Sequence, residues 1–299
     1  MGRRRILAAC ATALAVTGGG LGLMPAQAAP GSGSAAARAG DLDGDGFGDL
    51  AVGSPEGTIA GFSKAGYVSV VYGTAQGVRT TRHKGITQRT AGIPGTPEAG
   101  DRFGSAVAVG DVDGDGYADL VIGSGGEAIG SVKGAGSVTV VFGAKGGVSG
   151  DAIAFHAPTP TARQAFGNRL AVGDFDHDGR DDIAVAAGTK VQVVKGAAKL
   201  RDTAKPAMKS YTPPGGGAGT GQIAAADVNG DGYTDLATVA YFDDPADEGT
   251  LGVLAGSAQG LTSRSLGKTG LPFAGYSIVA PTPGAACTNS RSVSARATP

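Results

Sequence analysis

The chain has 299 residues, 55 of them glycine, and a net charge of −1. Glycine near 18 % without a three-residue period excludes collagen. The near-zero charge excludes a nucleic-acid binder held by a basic surface and an acidic disordered tail. The 41 % hydrophobic content can fill a core. Abundant glycine beside β-branched runs points to short strands and tight turns, an all-β chain.

In chain order, Arg3, Arg4 and Arg5 form a positive start, and an apolar stretch runs from Ile6 to Met24. Ala26-Gln27-Ala28 then gives a small-x-small cleavage signal. Residues 1–28 read as a signal peptide cut after Ala28, by the general or the twin-arginine route, and predict a secreted protein. No later run is apolar enough to span a membrane, so the mature chain is expected to have no span. Cys10 falls in the signal and Cys287 in the tail, so no internal disulfide is expected. Residues 29–40 read as a linker.

Four acidic windows follow: DLDGDGFGDL from Asp41, DVDGDGYADL from Asp111, DFDHDGRDDI from Asp174 and DVNGDGYTDL from Asp227. They start 70, 63 and 53 residues apart and hold 16 of the 26 acidic residues. A repeat of this length with several short strands per unit reads as a propeller blade or a solenoid. The flanks repeat as well. FGSAVAVGD and FGNRLAVGD precede the second and third windows. DLAVGS, DLVIGS, DIAVAAG and DLATVA follow the four in turn, and then come GYVSVVYG, GSVTVVFG, TKVQVVKG and GTLGVLAG. One unit therefore reads as strand, acidic loop, strand, variable loop, strand, and a fourth strand, for which Ile86–Arg89 and Ala152–Phe155 are candidates.

Carboxylates at positions 1, 3 and 5 of a curled loop converge, a glycine at 6 permits the turn, and the carbonyl at 7 faces inward, which is the logic of an oxygen cage for Ca²⁺. One Asp-Gly stretch is an ordinary turn, but four with aspartates in register predict metal. The expected ligands are Asp41, Asp43, Asp45, Asp49 and the Phe47 carbonyl in loop one, and Asp111, Asp113, Asp115, Asp119 and the Tyr117 carbonyl in loop two. Loop three offers Asp174, Asp176, Asp178, Asp182 and the Arg180 carbonyl; loop four offers Asp227, Asn229, Asp231, Asp235 and the Tyr233 carbonyl. The absence of recurring His or Cys indicates a hard ion, and many carboxylates favour Ca²⁺ over Mg²⁺. His177, where the other loops have glycine, reads as a left-handed turn residue and not a ligand.

These motifs resemble the FG-GAP repeat family, the calcium-binding β-propeller of integrin α subunits and their bacterial relatives. Phe103-Gly104 and Phe166-Gly167 match the family's opening element, and Gly53-Ser54-Pro55 approximates its Gly-Ala-Pro close. Gly123-Ser124-Gly125 and Ala187-Gly188 depart from that close. The resemblance covers roughly residues 40–280 and implies four-stranded blades with about four Ca²⁺.

The predicted architecture is a β-propeller of four complete or nearly complete FG-GAP blades over residues 41–280, plus a partial one. Residues 281–299 are expected to form an irregular tail. Phe273–Ala280 reads as the first strand of a further blade; it either pairs with the first blade or ends a truncated, open propeller. No G-x-S-x-G elbow occurs, and His83, His156 and His177 have no nucleophile nearby in sequence. Asp243, Asp244, Asp247 and Glu248, and the basic patch Arg79–Lys84, read as solvated loops. The expected role is a non-catalytic binding or adhesion module for an extracellular protein or carbohydrate, with no nucleic-acid partner. An exported hydrolase or lyase acting on polysaccharide or lipid, or a structural remnant, is the alternative.

Overall fold

The computed structural model describes residues 40–78, 81–203, 205–214, 219–241, 249–262 and 265–271. These residues form four antiparallel sheets in chain order. Sheet one has β1 (Leu50–Ser54), β2 (Tyr67–Val71) and β3 (His83–Ile86). Sheet two has β4 (Phe103–Gly110), β5 (Asp119–Ser124), β6 (Ser137–Val141) and β7 (Ala152–Phe155). Sheet three has β8 (Leu170–Gly173), β9 (Asp182–Ala187), β10 (Lys190–Val194) and β11 (Met208–Tyr211). Sheet four has β12 (Gly219–Ala226), β13 (Asp235–Tyr241), β14 (Gly249–Leu254) and β15 (Ser265–Leu271). Each sheet is an up-and-down meander in sequence order, the construction of a propeller blade. The only helical turn among the described residues is the 3₁₀ segment Leu200–Asp202, and none of their helices is long and apolar enough to cross a membrane.

Among the inner sheets, runs that are apolar without alternation become fully enclosed strands, and so does β6 with its Ser and Thr. Every residue of β5, β8 and β9 is buried, because both faces of these strands meet a neighbouring sheet. Three apolar clusters fill the seams. Val68, Val70 and Ile86 of sheet one meet Leu120 and Ile122. Val121, Val140 and Phe155 of sheet two meet Phe166 and Val185. Ala184 and Val191 of sheet three meet Leu236 and Leu254. The Phe-Gly pairs open the seams: Phe103 N–H donates to Ala65 C=O, and Phe166 N–H to Ala135 C=O, both at 2.9 Å. At Gly123 a Cβ would lie 1.7 Å from the Gly167 carbonyl oxygen of the next sheet. Close contact between blades is therefore one physical reason for the glycine content.

One strand differs from expectation. The fourth strand of the first unit is His83–Ile86 and not Ile86–Arg89, whereas Ala152–Phe155 is as expected. Pairing with β2 sets the register, with Val71 opposite His83 and Val68 opposite Ile86. Thr87 to Thr90 then form a turn closed by the Thr90 N–H on the Thr87 carbonyl. The basic patch is likewise no plain loop, since His83 and Lys84 lie in β3. The signal, the linker to residue 39, Asp243–Glu248, Phe273–Ala280 and the tail lie outside the described residues.

Candidate metal centre

Loops two, three and four join the first and second strands of their sheets, and loop one leads into β1. The loops fold by one repeated hydrogen-bond scheme. The position-1 aspartate turns back into its own loop. Asp41 Oδ1 accepts from Gly44 N–H at 2.7 Å and Asp45 N–H at 3.2 Å, while its Oδ2 accepts from Gly46 N–H at 2.8 Å. Asp111 and Asp227 repeat all three contacts. Asp174 repeats those from positions 5 and 6. At position 5, Oδ1 accepts from the amide of position 7, at 3.0 Å in all four loops. These contacts aim the carboxylates inward without any partner from outside the loop.

As a result, Asp41, Asp43 and Asp45 bring one oxygen each within 4.8 Å of one another, and so do Asp111, Asp113, Asp115 and Asp174, Asp176, Asp178. Such oxygen-only triads suit a hard cation. In loop three Asp176 Oδ1 is buried and has no partner, an orphaned anionic oxygen that a cation would satisfy. The residues thus fit a metal: positions 1, 3 and 5 supply carboxylates, or in loop four Asp227, Asn229 and Asp231. His177 sits at φ 57°, the left-handed conformation expected for it, and its ring meets Tyr233 of the next loop edge-on.

The position-9 aspartates stand at the loop's exit and serve a contact that sequence reasoning missed. Asp49 accepts from Leu42 N–H at 2.8 Å and, through its other oxygen, from Gly73 N–H at 2.7 Å. Asp119 does the same with Val112 and Gly143, Asp182 with Phe175 and Gly196, and Asp235 with Val228 and Gly256. Each carboxylate clips the loop's second residue to the glycine that ends the third strand. The signal was present in the glycine closing VVYG, VVFG, VVKG and VLAG. Burial pushes the Asp49 carboxyl up to about 6 and Asp182 to about 7, and holds Asp119 well above the usual carboxylate range. A bound dication would favour the ionised forms.

The loops also join blades. The carbonyls of Asp41, Asp111 and Asp174 accept from Ala118, Asp181 and Thr234 N–H of the next loop at 2.9, 2.8 and 3.1 Å. The carbonyls of Leu42, Val112 and Phe175 accept from Ala144, Ala197 and Ser257 N–H beyond the next third strand.

Basic side chains reach the triads, again unanticipated. Arg82 contacts Asp43 at 2.6 Å and Asp45 at 3.2 Å; residues 81–83 are exposed, as expected of a solvated segment, but this arginine is tied to loop one. Arg201, from the third blade, binds Asp113 and Asp115 of the second. Lys195 binds Asp176, and Asp178 at 3.1 Å.

Comparison with known proteins agrees with this geometry. The FG-GAP repeat model matches residues 32–71 and 103–141, and the FG-GAP-like repeat model matches 174–238. Integrin alpha pat-2 of Caenorhabditis briggsae is 44 % identical over 87 residues, 29 % of this chain and 6 % of that protein. Phosphatidylinositol-glycan-specific phospholipase D of Bos taurus is 38 % identical over 84 residues, 28 % of this chain and 10 % of that protein. The chain therefore matches only a small part of either relative.

Proposed function

This chain is an FG-GAP repeat protein with integrin-α-like blades, and from that premise we propose that it is a secreted, calcium-stabilised binding module. The observation carrying the reading is the repeated oxygen triad, built by the same internal hydrogen bonds in successive blades. When bound, Ca²⁺ supplies the charge that balances the carboxylates at positions 1, 3 and 5. The chain's own residues do the rest. The position-1 aspartate shapes the loop, the position-9 aspartate ties it to the third strand, and the two backbone bonds beyond it fasten the next blade. The loops are thus structural, and ligand recognition falls to other surfaces of the blades. The ligand class proposed is an extracellular protein or carbohydrate, reached by export through the N-terminal signal.

Isothermal titration of the protein with CaCl₂ tests this reading. About four sites are expected, with affinities on the order of 10⁻⁴–10⁻³ M typical of extracellular modules, loop four being weakest because Asn229 replaces a carboxylate. Asp113→Ala should remove one site and lower stability, with recovery at high calcium. One site or none in the wild type would defeat the proposal. So would hydrolysis of a polysaccharide or phospholipid panel that survives purification and depends on a residue of this chain.

A further inference from the structure

The basic side chains reach the outward oxygens that the loop amides leave open, while Asp176 Oδ1 stays without a partner. At position 5, Oδ1 is taken by the amide of position 7 in every loop. The second oxygen, Oδ2, also receives a donor in every loop. The donors are Arg82 Nη1, Arg201 Nη2, Lys195 Nζ (with Arg180 Nη1 at 3.5 Å on the same oxygen) and, in loop four, Asn229 Nδ2 at 2.9 Å. At position 3 the same three cations hold Oδ2 of Asp43, Asp113 and Asp176. Loop four has no basic partner among the described residues. It has one carboxylate fewer instead, so the triad and its donor carry a net charge of −2 in loops one, two and four, and −1 in loop three, where Arg180 joins Lys195.

The source of each donor follows from one sequence position, the residue before the clip glycine. In blade one it is Tyr72, and the Arg82 guanidinium lies 5.5 Å from its ring centroid. In blade two it is Phe142, and the Arg201 guanidinium lies 4.6 Å from its ring centroid. These aromatic faces steady the cation over the loop. In blade three the position is Lys195, which is itself the cation. In blade four it is Ala255, which offers neither, and the amide of Asn229 takes over.

We propose that Arg82, Arg201 and Lys195 are built-in counter-cations that hold their loops closed without metal and compete with calcium for the outward oxygens of positions 3 and 5. Competition follows from geometry, since a donor seated on an oxygen occupies one of its lone pairs and weakens it as a metal ligand. Like charges placed side by side also oppose co-occupancy. The residue before the clip glycine therefore tunes how readily each blade takes up calcium. Arg201 adds a second effect: it leaves the third blade to reach the second, so loading of loop two loosens a side-chain tie across that seam.

This inference rests on the calcium reading and is tested by titrating Arg201→Gln, Arg201→Lys and Lys195→Gln beside the wild type. Melting temperatures in EGTA are recorded in parallel. The Lys195 side chain is 60 % exposed, so its replacement leaves the fold intact even if Arg201→Gln does not fold. Each Gln variant should bind calcium more tightly at one site, by about 1.5- to 5-fold, the range expected for losing one partly exposed ion pair. Each should also melt lower in EGTA, and Arg201→Lys should lie between the two. Calcium uptake unchanged or weakened in folded Lys195→Gln overturns the inference alone. No uptake by the wild type overturns the calcium reading, and the inference with it.

Discussion

At the scale of single residues, the position-9 aspartates carry more of the fold than their place in a metal motif suggests. Asp119 is fully buried, and both its oxygens accept backbone N–H bonds. In Asp119→Asn one amide hydrogen would face an N–H donor, leaving a buried donor unpaired. A loss of about 2–3 kcal/mol is expected in denaturant unfolding, with calcium chelated. Glu127 gives a second case, away from the loops. Burial pushes its carboxyl up to about 7, and the Asp101 and Glu98 charges add to the rise. Gln88 Nε2 donates to it at 2.8 Å, and His156 lines the same open cavity of about 120 Å³. The folded protein thus binds the proton more tightly than the unfolded chain. The stability this gives is full below the unfolded value near 4.5 and is lost as pH rises through about 7. Glu127→Gln should flatten that part of the curve of melting temperature against pH, and should melt a few degrees higher than wild type at pH 8. Equal curves for the two proteins between pH 4.5 and 7 would refute it.

At the scale of elements, the second and third strands of each unit were legible because the repeated loops fix where they begin and glycine fixes where they end. The position-1, -3 and -5 triads were legible for the same reason, since all their residues lie within five positions. What escaped was everything held across distance. The clip from Asp119 to Gly143 spans 24 residues, and Arg201 stands 88 residues from Asp113. The repeated glycine marks one end of the clip, but nothing local pairs it with its aspartate or Arg201 with Asp113. Strand β3 escaped because HKGI has no clear apolar alternation, so pairing with β2 sets it. The clip glycines also bear on packing. A Cβ on Gly143 would fall 2.1 Å from the Ala118 carbonyl oxygen and 3.0 Å from Tyr117 Cβ. Gly143→Ala should therefore cost at least ~3 kcal/mol, or abolish soluble expression, because the obstructing atoms are backbone. A variant melting within a degree of wild type would show the third strand able to shift.

At the scale of the whole molecule, stability resides at seams between successive blades, each with its own apolar cluster and its own pair of loop bonds. Calcium should accordingly raise the melting temperature, by about 2.7 kcal/mol of stabilisation per site at a hundredfold excess over Kd. A melting curve that EGTA leaves unmoved would contradict this. The seam bonds themselves are made by main-chain amides and carbonyls: Ala118 to Asp41, Asp181 to Asp111, Thr234 to Asp174. The main-chain part of the joint accepts Ala, Asp or Thr at the same place, although Asp181 also accepts from Asp111 N–H through its carboxylate. The joint is indifferent to how much chain intervenes, since the loops start 70, 63 and 53 residues apart. A blade built this way can be copied, and its connecting loops can lengthen, shorten and change composition, without the neighbour having to change with it. The architecture thus leaves the variable loops free to drift toward new ligands while the acidic loops keep the copies in register.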